Sequence, residues 1–110
     1  MKLLSSLKEK KRYVVFEIKA DKNLTLSDVE KVVDSAVNEF LGQLGKSKAG
    51  VMFIREKWNA KTQRFLMKVN NKYVDELKSA MLFIKRIKNK PVIVESVLVT
   101  STIKKAHDAI

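Results

Sequence analysis

The chain has no cysteine, one proline, one histidine and three glycines. Without cysteine, disulfides, thiolate nucleophiles and zinc fingers are excluded. The glycines at 42, 45 and 50 match neither G-x-G-x-x-G nor a P-loop, so no phosphate cradle of those types is present. His107 has Asp108 beside it but no positioned nucleophile, and a lone histidine of this kind reads as a surface residue. Acidic neighbours such as Asp75 and Glu76 point different ways on a helix, whereas a metal site needs convergent ligands. Long apolar runs are missing too. The longest, around Met81-Leu82-Phe83-Ile84, falls far short of the ~20 residues that span a bilayer. Charge arrives at Lys8 before a signal-peptide core can form, so a cytoplasmic protein is expected.

Acidic residues are the remaining scarcity, 12 against 23 Lys and Arg, and they leave a net charge of +11. A surface this basic favours polyanions. The charge is uneven. Residues 21–45 hold Lys22 and Lys31 against Asp21, Asp28, Glu30, Asp34 and Glu39, a net −3, so the rest of the chain carries +14. Apolar residues make up 45%, enough for a folded core and too many for a disordered basic tail. The length suits one domain over residues 1–110.

Periodicity orders the elements. Residues 1–11 read as a basic helix or arm. Arg12-Tyr-Val-Val-Phe-Glu-Ile-Lys19 reads as a strand, with Val14, Phe16 and Ile18 on one face and Tyr13, Val15 and Glu17 on the other. Thr25 or Ser27 is a candidate N-cap, and Ser27 with Glu30 fits a capping box. Val29, Val32, Val33, Ala36, Val37, Phe40, Leu41 and Leu44 then recur at helical spacing, and Gly42 and Gly45 predict the helix end and a turn through Lys46 and Lys48. Val51–Trp58 and Arg64–Val69 predict a hairpin about Asn59-Ala-Lys-Thr62. A second helix is predicted from about Lys72 to about Lys88, with Tyr73, Leu77, Ala80, Met81, Ile84 and Ile87 on its inner face, ended by Lys90-Pro91. Val92–Thr100 is the fourth strand, and 102–110 a short final helix capped by Ser101 or Thr102. The fold class is α/β in the α+β sense. It is a ferredoxin-like, RRM-like β-α-β-β-α-β sandwich, with a four-stranded antiparallel sheet, two main helices and short terminal helices.

Acylphosphatases share that topology but carry an Arg in a Gly-rich loop after the first strand. Here the loop is Ala20-Asp-Lys-Asn-Leu24, so catalysis by this chain is not expected. RNA binding is. The candidate phosphate contacts are Lys8, Lys10, Lys11 and Arg12; Lys46 and Lys48; Arg55 and Lys57; Lys61 and Arg64; Lys85, Arg86, Lys88 and Lys90; and Lys104 and Lys105. The third strand, Gln63-Arg-Phe-Leu-Met-Lys-Val69, lacks the aromatic pattern with which RNA-recognition motifs stack bases. Val15 and Leu66 on the open sheet face, and Leu82 and Phe83 on the second helix, are apolar residues beyond the core stripe. Two readings stand open for them: a protein interface, or cover by the terminal helices.

Four segments in order resemble the protein component 2 subunit of ribonuclease P, shared by archaea and eukaryotes. They are Arg12-Tyr-Val-Val-Phe-Glu-Ile18; Asn59-Ala-Lys-Thr62 against N-A-x-T; Ser79-Ala-Met-Leu-Phe-Ile84 against S-A-L-P-F-I; and Val99-Thr-Ser-Thr-Ile-Lys-Lys-Ala106 against V-S-G-T-I-K-K-A. Leu82 stands where the family has Pro, which implies a less kinked second helix. Ser101 stands where it has Gly, so the last turn lacks easy positive φ. The resemblance implies a non-catalytic subunit of an endoribonuclease that removes the 5′ leader of precursor tRNA. The RNA subunit would hold the active site and its Mg²⁺, and this chain no cofactor. The implied partners are the ribonuclease P RNA, a TIM-barrel subunit (component 3) and a second copy, with precursor tRNA contacted indirectly. Composition alone leaves a small ribosomal protein as the alternative.

Overall fold

The computed structural model describes residues 10–110, so residues 1–9 of the predicted N-terminal helix or arm, Lys8 among them, lie outside the described residues, and Lys11, its last residue, already belongs to the first strand. Strand β1 (Lys11–Ala20) opens the fold. Its alternation is as the sequence predicts. Val14, Phe16 and Ile18 enter the main core, while Val15 enters a second, smaller core on the opposite face with Tyr13 against it.

Helix α1 (Leu26–Ala49) begins at Thr25, whose Oγ1 accepts from the Asp28 N–H at 3.3 Å. Thr25 is therefore the cap, and Ser27 is inside the first turn. Val29, Val33 and Val37 are its buried stripe. The predicted stop is borne out at Gly42, where the first helical segment breaks, but the turn expected after it is replaced by a second helical segment. Gly42 takes φ 72°, ψ 171°, a conformation essentially reserved for glycine. The chain kinks there and re-enters the helix up to Gly50, which is left-handed at φ 61° and donates its N–H to the Lys46 and Ser47 carbonyls. Buried Ala49 anchors this second segment, so Lys46 and Lys48 sit on a helix rather than a turn.

Strands β2 (Met52–Asn59) and β3 (Arg64–Asn70) form the predicted hairpin. Asn59 Oδ1 accepts from the Lys61 and Thr62 N–H groups at 2.9 and 3.2 Å, an Asx turn. Phe65 stacks between Phe16 and Phe53, each ring centroid 5.3 Å from its own. A 3₁₀ turn (Asn71–Tyr73), capped by the Asn70 side chain, leads into helix α2 (Val74–Leu82).

The second helix is much shorter than its apolar pattern predicts. Phe83 and Ile84 close its last turn onto the Ala80 and Met81 carbonyls. Lys88 and Asn89 then take φ 53° and 63°, the double positive φ of a tight two-residue hairpin. That hairpin pairs strand β4 (Arg86–Ile87) with the start of strand β5 (Lys90–Thr100). Ile84 and Ile87 are buried as expected, but from a loop and a strand. Leu82, in place of the family's proline, ends the helix rather than straightening it.

The sheet order is β2-β3-β1-β5-β4, antiparallel throughout, so the sheet has five strands rather than four. The core of the ferredoxin-like arrangement is retained and the fifth strand is the two-residue β4. A bulge in β5 falls opposite the Val15/Phe16 step of β1. Helix α3 (Ile103–Asp108) follows, capped by Thr102 Oγ1 on the Lys105 N–H. Thr102 is extended at φ −124° and Ser101 has no positive φ, so the turn is made without glycine.

Candidate nucleic-acid interface

Helices α1 and α2 cover one face of the sheet, and α3 crosses the other. Ala106 of α3 is fully buried against Val15 and Leu66, with Tyr13, Ile54, Leu98, Ala109 and Ile110 around them. Val15 and Leu66 are both 0% exposed. Their reading as a protein interface is therefore corrected: the C-terminal segment of the same chain occupies the surface where an RNA-recognition motif would stack bases. Arg64 fastens that segment. Its Nη1 donates to the Ala109 carbonyl, and its Nε lies 3.8 Å from Glu17. Arg64 thus ties α3 to the sheet through Nη1, while its Nε, 3.8 Å from Glu17, makes no hydrogen bond.

Other candidate cations also have partners within the chain. Lys46 pairs with Asp34 at 2.6 Å and Arg55 with Glu30 at 3.2 Å, both reaching the acidic stretch of α1. Lys88 pairs with Asp28 at 3.2 Å. The Lys88 ammonium, foremost, and the Thr25 hydroxyl hold the Asp28 carboxyl below its ordinary value, against a smaller opposing effect of burial. The acidic patch read from the sequence is therefore partly neutralised by folding. Exposed pairs of this kind remain open to exchange with phosphate, since each contributes little in water.

Lys85, Arg86, Lys88 and Lys90 are all exposed around the β4–β5 hairpin, which projects them from one small element. Lys61 is exposed on the β2–β3 turn, and Lys104 and Lys105 on α3. Lys10, Lys11 and Lys48 are exposed, and Arg12 is half-buried with Nη1 on the Lys11 carbonyl. Lys57 is half-buried, and its Nζ lies 3.2 Å from His107 Nδ1. His107 is the residue that sequence reasoning set aside. Its partner is fifty positions away and is found only because α3 folds back over β2. Among the described residues, no three His, Asp or Glu side chains converge as a metal site.

On the helical side, Phe40 of α1 and Phe83 lie with ring centroids 5.3 Å apart. They remain 41% and 66% exposed, and Leu82 at 62% and Leu44 at 70% are exposed as well. Leu82 and Phe83 are thus placed on the surface, as an interface requires.

Comparison with known proteins gives this arrangement a family. The family model described as Rpp14/Pop5 matches residues 12–110. The chain belongs to the Rpp14/Pop5 family. Ribonuclease P protein component 2 of Thermococcus gammatolerans is 32% identical over 91% of this chain and 82% of its own length. The protein of the same name from Methanocaldococcus jannaschii is 32% identical over 92% of this chain and 72% of its own. The Schizosaccharomyces pombe ribonuclease P/MRP protein subunit POP5 is 27% identical over 89% and 81%. A chain in a cryo-EM structure of yeast ribonuclease MRP superposes with a TM-score of 0.65, covering 92% of this chain and 91% of that one. At 12% identity that likeness speaks for the fold. The fold is therefore shared between the two chains where few side chains are.

Proposed function

We propose that this chain is an accessory protein subunit of ribonuclease P, working in the cytoplasm on the 5′ maturation of tRNA. The observation that carries the reading is the family match across residues 12–110 on a chain of net charge +11. Its lysines and arginines would offset phosphate repulsion where helices of the catalytic domain of the RNA pack closely. The RNA would then hold its fold and its Mg²⁺ at lower Mg²⁺ concentrations. The cleavage chemistry belongs to the RNA in this reading, and this chain contributes no catalytic residue and binds no cofactor.

The exposed Phe40, Leu82 and Phe83 supply a surface for protein partners. We assign it to assembly with a TIM-barrel subunit, component 3, and with a second copy of this chain, giving a heterotetramer. Contact with precursor tRNA is indirect. Reconstitution tests the reading. This protein, its component 3 partner and the cognate RNA are combined with precursor tRNA at limiting Mg²⁺, and each is omitted in turn. Leader cleavage that needs both the RNA and this protein is the expected result. Cleavage indifferent to this protein would return it to the ribosomal alternative.

A further inference from the structure

The tip of the β4–β5 hairpin is an unusual place for a lysine. A two-residue turn with positive φ at both positions favours Asn-Gly or Asp-Gly, because a Cβ disfavours the left-handed region. Asn89 at φ 63° suits its place, whereas Lys88 at φ 53° does not. What Lys88 gains there is a contact. Its Nζ lies 3.2 Å from Asp28 Oδ2, in the first turn of α1. The Asp28 side chain is 17% exposed, against 29% or more for the acid of every other ion pair among the described residues. It also stands at a helix N-terminus, where backbone N–H groups favour its charge. Of those pairs this is the one least readily exchanged for phosphate. Little else holds the hairpin. Strand β4 pairs with β5 only at Arg86↔Pro91 and Ile87↔Lys90. Its root is fixed by buried Ile87 and by the Val92 N–H, which donates to the Lys85 carbonyl at 2.9 Å. A ribbon this short is marginal by itself, so the Asp28–Lys88 pair is its second anchor, at the tip. Lys85, Arg86 and Lys90 are exposed around these anchors, and among the described residues none of the three is in an ion pair.

We propose that Asp28 is a positioning residue for RNA binding. By holding the hairpin tip on α1, it presents Lys85, Arg86 and Lys90 to backbone phosphates as one preorganised prong. An ordered prong loses less freedom on binding than a loose one. The proposal rests on the RNA-binding reading above and adds to it an acid that strengthens the grip on a polyanion.

The sign of one substitution decides. By charge alone, Asp28→Asn removes an acid beside the cations, releases Lys88 and should tighten RNA binding. By position it should weaken binding, about tenfold, the cost of ordering a few side chains only when the RNA arrives. The measurement is the affinity of the full chain for the cognate ribonuclease P RNA, read by anisotropy at fixed salt. Asp28→Glu, which keeps a carboxylate, should recover most of the loss. In a Lys88→Met background the tip anchor is already gone, so Asp28→Asn should weaken binding no further. Amide exchange in the free chain tests the anchor without RNA. The Val92 amide should exchange faster in Asp28→Asn while β1 keeps the protection of the parent, which a general loss of stability would not spare. Tighter or unchanged RNA binding by Asp28→Asn, or Val92 exchange equal to that of the parent, would overturn the proposal and leave the subunit reading standing. A parent chain that does not bind the cognate RNA would remove the RNA-binding reading, and this proposal with it.

Discussion

The side-chain amide of Gln63 closes two hydrogen bonds onto the backbone of Leu24, thirty-nine residues away. Leu24 N–H donates to Oε1 at 2.8 Å, and Nε2 donates to the Leu24 carbonyl at 3.3 Å. Nε2 also donates to the Ala60 carbonyl at 2.7 Å, and the Gln63 carbonyl accepts from the Ile18 N–H. One buried amide thereby ties the loop entering α1 to the β2–β3 turn. Gln63→Ala would leave a buried N–H and two carbonyls without that partner, at a cost of about 3 kcal/mol. Urea unfolding should show a lower midpoint with an unchanged slope. A midpoint within error of the parent would mean that water replaces the amide.

The β4–β5 hairpin carries four exposed cations in six residues. Neutralising Lys85, Arg86, Lys88 and Lys90 together should weaken RNA binding and flatten the dependence of log affinity on log salt, because fewer counterions are released. The measurement is affinity for the cognate RNA across a salt series. An unchanged slope would show that this hairpin does not touch phosphate.

Lys88 has a second role within the chain. Because its ammonium depresses Asp28 below the ordinary 3.8, folding gains stability from this group that is complete above that value. The gain is lost as pH falls through the lower folded value. Lys88→Met should raise the Asp28 pKa and remove this acid-side contribution. Carboxyl NMR titration reads it directly, and an Asp28 midpoint that does not move in the variant would contradict the pairing.

Helix α3 acts as a lid on the second core. Ala106→Asp would bury a carboxylate against Val15 and Leu66. We expect a loss of at least ~2 kcal/mol and a melting temperature lower by on the order of 10 °C. Removing residues 103–110 should expose the same two side chains and increase binding of an apolar dye. A truncated chain that melts like the parent would mean the lid is dispensable.

The opposite outcome is expected on the helical side. Phe83→Asp replaces a side chain that is 66% exposed, so the isolated domain should melt within a few degrees of the parent. Pull-down of the component 3 partner and the mass of the assembly in solution should both fall. A variant that unfolds by itself would place Phe83 in the core.

Much of this protein was legible from local pattern. Runs of β-branched and aromatic residues bounded by turn residues placed β1, β3 and most of β5, and the two-residue period sorted β1 between the two faces of the sheet. Asn59 announced its turn, and the two helix starts were narrowed to Thr25 or Ser27 and to Ser101 or Thr102, through side chains that bond their own backbone; the structure selects Thr25 and Thr102. The charge excess, the missing cysteine and the four family segments set the functional class before any coordinate. The helix ends were legible only in part. Gly42 does break the first segment, as its position suggested, but a second helical segment with buried Ala49 follows at once and runs to Gly50. Ile84 and Ile87 kept helical spacing, yet the positive φ of Lys88 and Asn89 turned them into loop and strand. Which cations stay free was decided only in three dimensions. Lys46, Arg55, Arg64 and Lys88 find acids, or a carbonyl, far away in sequence, and the tertiary fold alone brings His107 to Lys57 and α3 over Val15 and Leu66. Composition and periodicity report what a segment buries; only packing decides against which partner.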